Sequence, residues 1–184
     1  MRKQLRLSGS GGQGVITAAI IFAEAAVAEG KNAVQSQSYG PEARGGASKS
    51  EVIIDDGSIF HPHVKMPDVV LAMTQKAANK YHADLSEDGL LVIDSDLVPD
   101  VPDCKNVVQI PITRLAIEEL GKSLFANIVA LGALVRLTGI VDFETIKTAV
   151  AHRVPPHTIE QNMQALQIGY DAADAAQASY NEVA

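Results

Sequence analysis

Apolar residues recur along this chain in two rhythms, and the first change of rhythm comes early. KQLRLSG (residues 3–9) has short β character and stops in glycine. Directly after it Val15, Ile16, Ala19, Ile20, Phe22, Ala23 and Val27 return at helical spacing. Strand, glycine-rich turn and helix follow one another, and Gly30 sits where a residue without Cβ closes a helix at positive φ. NAVQSQ (32–37) reads as a second strand. SYGPEARGGAS (38–48), dense in Gly and Pro, fits neither period and reads as a long functional loop.

KSEVIID (49–55) alternates and runs into Asp56-Gly57, which predicts the first arm of a hairpin ending near Ile59 and Phe60. DVVLAM (68–73) and GLLVIDS (89–95) are continuous apolar runs of the kind buried on both faces of a parallel sheet. TQKAANKYHADL between them has room for one crossover helix. NVVQIPI (106–112) predicts a further strand, and TRLAIEELG a short helix ended by Gly121. The remainder is helical, over 124–138, over 142–152 and again after Pro155 and Pro156, with Thr158 and Gln161 placed for a capping box. Alternating strands and helices, then helices alone, predict an α/β layered domain with a C-terminal helical cover. The last residues of the Ala-rich tail are expected to fray.

With 184 residues, 47% of them hydrophobic, the chain fits one domain with a sizeable core. A net charge of −7 without a Lys/Arg cluster argues against nucleic acid. No apolar run approaches the roughly 20 residues of a membrane span, and the N-terminus lacks the apolar stretch of a secretory signal, so a cytoplasmic protein is expected. Cys104 is the only cysteine, which leaves no internal disulfide and no four-cysteine cluster within the chain.

The candidate chemistry starts at LSGSGGQGV (7–15). Gly9, Gly11 and Gly14 match G-x-G-x-x-G between a strand and a helix, the setting in which bare backbone approaches a diphosphate at a helix N-terminus. The same loop also fits a tight turn with no ligand, or one filled by another chain. A dinucleotide site needs an acid at the end of the second strand, where this chain has Gln35, Ser36 and Gln37. A Walker loop needs Lys, where Val15 stands.

Arg44, on the loop after the second strand, suits a carboxylate or phosphate and equally an ion pair with Glu42. His61 and His63 have no further ligands at zinc-type spacing, so no metal site is expected. Asp94 and Asp96 lie at a strand end and fit a site, a turn or a helix cap. Asn127 interrupts an apolar helix and must bond either loop backbone or a ligand. Gly132 in the same helix predicts close approach of another backbone. No self-sufficient catalytic set emerges.

With GSGGQGV, SQSYGPEARGG, MPDVVLAM and ANIVALGAL in that order and spacing, the chain resembles over essentially its whole length the gamma subunit of 2-oxoacid:ferredoxin oxidoreductases. The resemblance implies a Rossmann-like, mostly parallel sheet with helices on both faces, as a single gamma-type domain over residues 1–184. It implies a non-autonomous part in oxidative decarboxylation of a 2-oxoacid with coenzyme A to acyl-CoA, with reduction of ferredoxin. The 2-oxoglutarate type is expected, although the oxoacid pocket belongs to other subunits. Thiamine diphosphate and iron–sulfur clusters are implied in alpha, beta and ferredoxin-like delta partners. Whether the isolated chain forms a homodimer stays open. Gly9, Ser10, Gly11, Gly12, Gln13 and Gly14 match the family's glycine loop, and Tyr39, Gly40, Glu42, Arg44, Gly45 and Gly46 its second motif. All of these except Gly46, together with Asn127, are the candidate cofactor-binding residues. The alternative is a stand-alone nucleotide- or coenzyme A-binding module outside any redox complex.

Overall fold

The computed structural model describes residues 1–38 and 46–183, with side chains up to Gln177. Six strands form one sheet: β1 (Arg2–Ser10), β2 (Asn32–Gln37), β3 (Ala47–Asp55), β4 (Val69–Ala72), β5 (Leu90–Asp94) and β6 (Asn106–Ile110). Their order is β2-β3-β1-β4-β5-β6. β1, β4, β5 and β6 run parallel, while β3 is antiparallel to both β1 and β2.

The expected hairpin is therefore displaced. β3 pairs with β2 before it and β1 beside it, and no strand follows at Ile59 and Phe60, where Phe60 is 82% exposed. The Asp56-Gly57 turn was a sound local signal. Both edges of β3 are taken by β1 and β2, which leaves no edge for a following strand.

Alternate side chains of the central strands go to opposite faces, and both faces are buried, as the continuous apolar runs predict. Leu5, Leu7, Val52, Ile54, Leu71 and Val92 join the larger core cluster, with α1 (Val15–Ala28), α3 (Ile112–Leu120), α4 (Ala126–Thr138), α5 (Phe143–Arg153) and α6 (Ile159–Val183). Val70, Ala72, Leu91 and Ile93 join the smaller one with Ala77, Ala78 and Tyr81 of α2 (Gln75–Tyr81). Helices thus cover both faces, one thickly and one with a single crossover helix. Among the described residues no helix is long and apolar enough to cross a membrane.

Local chemistry sets the helix ends. The Thr74 hydroxyl accepts from the Ala77 N–H and the Asp142 carboxylate from the Glu144 N–H, each an N-cap. Gly30 takes φ 80° after α1 as its position demanded. The capping box at Thr158 is not formed. That residue lies in a 3-10 turn, Pro156–Thr158, with its hydroxyl donating to Pro155 O at 2.9 Å. The preceding prolines impose this turn, and α6 continues from it.

Under the thin face lies a polar cluster that no sequence rhythm announced. Arg6, 3% exposed, donates to Glu51 at 2.8 Å and to Asp84, with its guanidinium 5.3 Å from the centroid of the Tyr81 ring. The buried cation is paired from two sides, without which its burial would be prohibitive.

At the C-terminal end of α1, Glu29 accepts from Lys31 Nζ at 2.7 Å and from the Asp142 N–H at 2.6 Å, tying α1 to the start of α5. Burial works against the Glu29 carboxylate, but these hydrogen bonds outweigh it and hold the group below its ordinary 4.5. A carboxyl lowered in the folded state contributes stability that is fully present above its unfolded value and is lost as the pH falls through the folded one. Acid titration of stability should therefore show a component below pH 4.5 that Glu29→Gln removes. Superimposable acid limbs for the two proteins would contradict it.

Candidate functional site

β1 ends at Ser10, Gly11 to Gly14 make the turn, and α1 starts at Val15. Two glycines of this turn are in the left-handed region, Gly12 at φ 90° and Gly14 at φ 73°. They differ in what surrounds them. A Cβ on Gly12 would meet nothing within 4 Å, whereas one on Gly14 would lie 2.5 Å from Asn127 Nδ2. That Nδ2 donates to Gly14 O at 3.2 Å, so Asn127 bonds loop backbone, the first of its two expected roles.

Gln13 folds back over the turn. Its Oε1 accepts from the Ser10 N–H at 2.7 Å, and its Nε2 donates to Met73 O, just past β4, at 3.3 Å. A Cβ on Gly9 would strike that Oε1 and lie 3.1 Å from Met73 Cβ. Gly9 is therefore bare to admit Gln13. The clamp crosses a meaningful place: β1 and β4 are adjacent and parallel, and the helices that follow them lie on opposite faces. Between their C-terminal ends is the switch-point crevice where open α/β sheets hold ligands. In this chain the Gln13 amide spans it.

The open space lies on the other side of the turn. A concavity of about 510 Å³ is lined by Ser10, Gly11, Gly12 and residues 14–17, with Ser38 and Ser48 of the β2–β3 pair opposite. No side chain caps α1, so the first-turn N–H groups face this space with the partial positive charge of a helix start. Ser10, Thr17, Ser38 and Ser48 supply hydroxyls, and no described lining residue is charged or titratable. Such a surface can bind an anion or a carbonyl-rich chain segment.

Of the candidates, Gly11, Gly12, Gly14 and Ser10 line the concavity, while Gln13, Gly9 and Asn127 build the turn from behind. Tyr39, Gly40, Glu42, Arg44 and Gly45 lie outside the described residues; Gly46 leads into β3. Thr17, Ser38 and Ser48 were missed. Ser48 stands opposite Gly9 in the β1–β3 register, which only the displaced hairpin reveals.

Asp94 and Asp96 take their plainer readings. Asp94, fully buried, accepts from the Thr113 N–H at 2.9 Å and from its hydroxyl at 2.6 Å, fastening the start of α3 to the end of β5. Asp96 pairs with Arg114 at 3.2 Å in solvent. His61 and His63 are exposed, and among the described residues no group of three or more His, Cys, Asp or Glu could hold a metal ion. A larger concavity of about 640 Å³ between α1 and α5 contains none of the candidate residues.

Residues 4–172 match the sequence profile of the pyruvate ferredoxin/flavodoxin oxidoreductase family. The 2-oxoglutarate synthase subunit KorC of Methanocaldococcus jannaschii is 49% identical over 179 residues, covering 94% of this chain and 95% of the relative. The gamma subunit of the keto/oxoacid ferredoxin oxidoreductase of Geobacter sulfurreducens PCA superposes with a TM-score of 0.86 at 51% identity, over 95% of this chain and 99% of that one. The pyruvate oxidoreductase subunit PORC of Thermotoga maritima superposes with a TM-score of 0.77 at 29% identity, over 93% and 96%.

Proposed function

Because the chain belongs to the pyruvate ferredoxin/flavodoxin oxidoreductase family, we propose that it is the gamma subunit of a complex that oxidises a 2-oxoacid, of the 2-oxoglutarate type, to acyl-CoA and carbon dioxide while reducing ferredoxin. The substrate choice is supported by identity: 49% to a 2-oxoglutarate synthase subunit against 29% to a pyruvate oxidoreductase subunit. The alternative of a stand-alone binding module has no support in these likenesses, which run from end to end of subunits of oxidoreductases. Residues 1–184 act as one gamma-type domain.

Thiamine diphosphate and iron–sulfur clusters do not fit this chain. It carries one cysteine, no G-D-G segment followed by Asn, and among the described residues no metal-holding cluster. They belong to alpha, beta and ferredoxin-like delta partners, and no step of the reaction runs through groups of this chain. Its contribution is a binding surface. The observation that carries the reading is the uncapped start of α1, opening on a concavity whose described lining is uncharged and rich in hydroxyls. A diphosphate such as that of coenzyme A would meet the N–H groups of residues 15–17 and the hydroxyls of Ser10, Thr17, Ser38 and Ser48 there. A segment of the thiamine-binding chain would meet the same donors through its carbonyls. Gly11 and Gly12 keep the approach bare, and Gln13 and Asn127 hold its shape. Tyr39, Gly40, Glu42, Arg44 and Gly45, placed in sequence between the lining residues Ser38 and Ser48, complete the proposed site.

Purification from the native source under mild conditions tests this. Larger thiamine-binding chains and a ferredoxin-like chain should accompany the protein, and the assembly should reduce ferredoxin with 2-oxoglutarate and coenzyme A while the lone chain does not. A chain that purifies alone, holding its own nucleotide, would sink the reading.

A further inference from the structure

The structure assigns β2 as a self-pairing edge: two copies of the chain join β2 to β2 in antiparallel fashion across a twofold axis at Val34, making one continuous sheet. β2 is the last strand on its side, with β3 as its strand neighbour among the described residues. Its register fixes which groups face outward. The Ser38 N–H donates to Lys49 O at 3.3 Å, extending a ladder in which Asn32, Val34 and Ser36 exchange bonds with Asp55, Ile53 and Glu51. Hydrogen-bonding direction alternates along a strand, so Ala33 and Gln35 turn their N–H and C=O to the open side.

These two residues are two apart, which is the spacing that a twofold pairing requires. With Val34 on the axis, Ala33 of each copy stands opposite Gln35 of the other. Each such pair exchanges two bonds, and two pairs make about four. Val34 then faces Val34 in the pair that lies between those bonds, where side chains come closest and β-branched residues pack well.

The sequence of the edge agrees. Strands left open to solvent are commonly blunted by charges or proline, and Asn32–Gln37 has neither. In a chain of net charge −7 this is a stretch on which like meets like without repulsion. Beside it Ile20, Ala23, Val27 and Ala33 line an apolar groove of about 330 Å³, with Val27 55% exposed. The one acid there, Glu24, is bonded to Arg153 at 2.9 Å. Across the axis the two apolar strips roof the same face of the joined sheet. The outward groups of Ala33 and Gln35 and the uncharged face beside them make this edge complementary to itself.

Light scattering on the full chain after size exclusion should give twice the 19.5 kDa mass of one chain at micromolar concentration. Ala33→Pro removes an outward N–H and leaves the β2–β3 ladder intact, so it should halve the mass without changing the circular dichroism spectrum. Val34→Lys sets like charges on the axis and should do the same by a different route. Val34→Cys in a Cys104→Ser background should form a disulfide-linked dimer on mild oxidation. A wild-type chain that stays monomeric overturns the proposal, as does a dimer that survives both Ala33→Pro and Val34→Lys. Protection of the Ala33 and Gln35 amides only when partner subunits are added would overturn it too, by giving the edge to a different strand.

Discussion

Replacing Gly169 with alanine should cost the protein about 2–3 kcal/mol of stability, from overpacking alone, and Gly132→Ala a similar amount. The reason is the closeness of α4 and α6. A Cβ on Gly169 would lie far inside the van der Waals contact distance of Val129 O and 2.7 Å from its carbonyl carbon. A Cβ on Gly132 would do the same to Leu166 O, 2.9 Å from the carbon. The two contacts are reciprocal and three residues apart on each helix. Both obstacles are backbone, which no rotamer change can move aside, so the helices must part. Parting them unpacks Val129, Ala130, Ala133, Ala165 and Leu166 from the larger core cluster. Alanine returns up to about 1 kcal/mol of helix propensity, which places the net loss below the worst overpacking. Urea unfolding of the two variants reads it directly, and a thermal scan should fall by roughly 4–12 °C for a chain of this size. A variant as stable as the wild type would mean that the helices do not touch there.

Gly11→Val should behave in the opposite way, sparing the fold and removing the function. Gly11 is exposed and is not among the glycines with positive φ, so the backbone accepts valine. Gly11 lines the concavity beside the start of α1, where a branched side chain adds bulk to the turn. If a diphosphate or partner segment must lie flush against that turn, a shift of about 1 Å is enough for losses on the order of a hundredfold. Acyl-CoA formation by the reconstituted complex should fall at least that far, with an unchanged melting temperature. Gly14→Ala is the contrasting case: at φ 73° and 2.5 Å from Asn127 Nδ2 it should damage folding as well. Full activity of Gly11→Val would take the loop out of the site.

These two glycine sets also show what the sequence could reveal. Gly132 was legible because a glycine in an apolar helix has few uses other than close approach, and the approach is present. Its partner Gly169 sits in an Ala-rich, weakly patterned helix, where one small residue among many carries no signal. The parallel strands β4 and β5 were legible as uninterrupted apolar runs, since both their faces are covered. β3 is legible as a strand but its neighbours are not, because a local Asp-Gly turn says nothing about competition from distant partners. At the site, the glycine loop was evident from its setting, yet the pattern alone could not separate bare backbone that meets a ligand from bare backbone that admits Gln13. Gly9 is of the second kind, whereas Gly11 lines the open concavity. Ser48 enters only through the β1–β3 register, and register across 39 residues (9 to 48) is not written in either segment.

On the proposed function, the glycine turn and the first turn of α1 are where the assembled complex presses its cofactor-bearing partner or coenzyme A against this chain. Amide hydrogen exchange of residues 11–17, compared between the free chain, the assembled complex and the complex with coenzyme A, tests it most directly. The account predicts strong protection of these amides on assembly or on addition of coenzyme A. Exchange at the free-chain rate in all three states, with protection appearing only elsewhere, would contradict it.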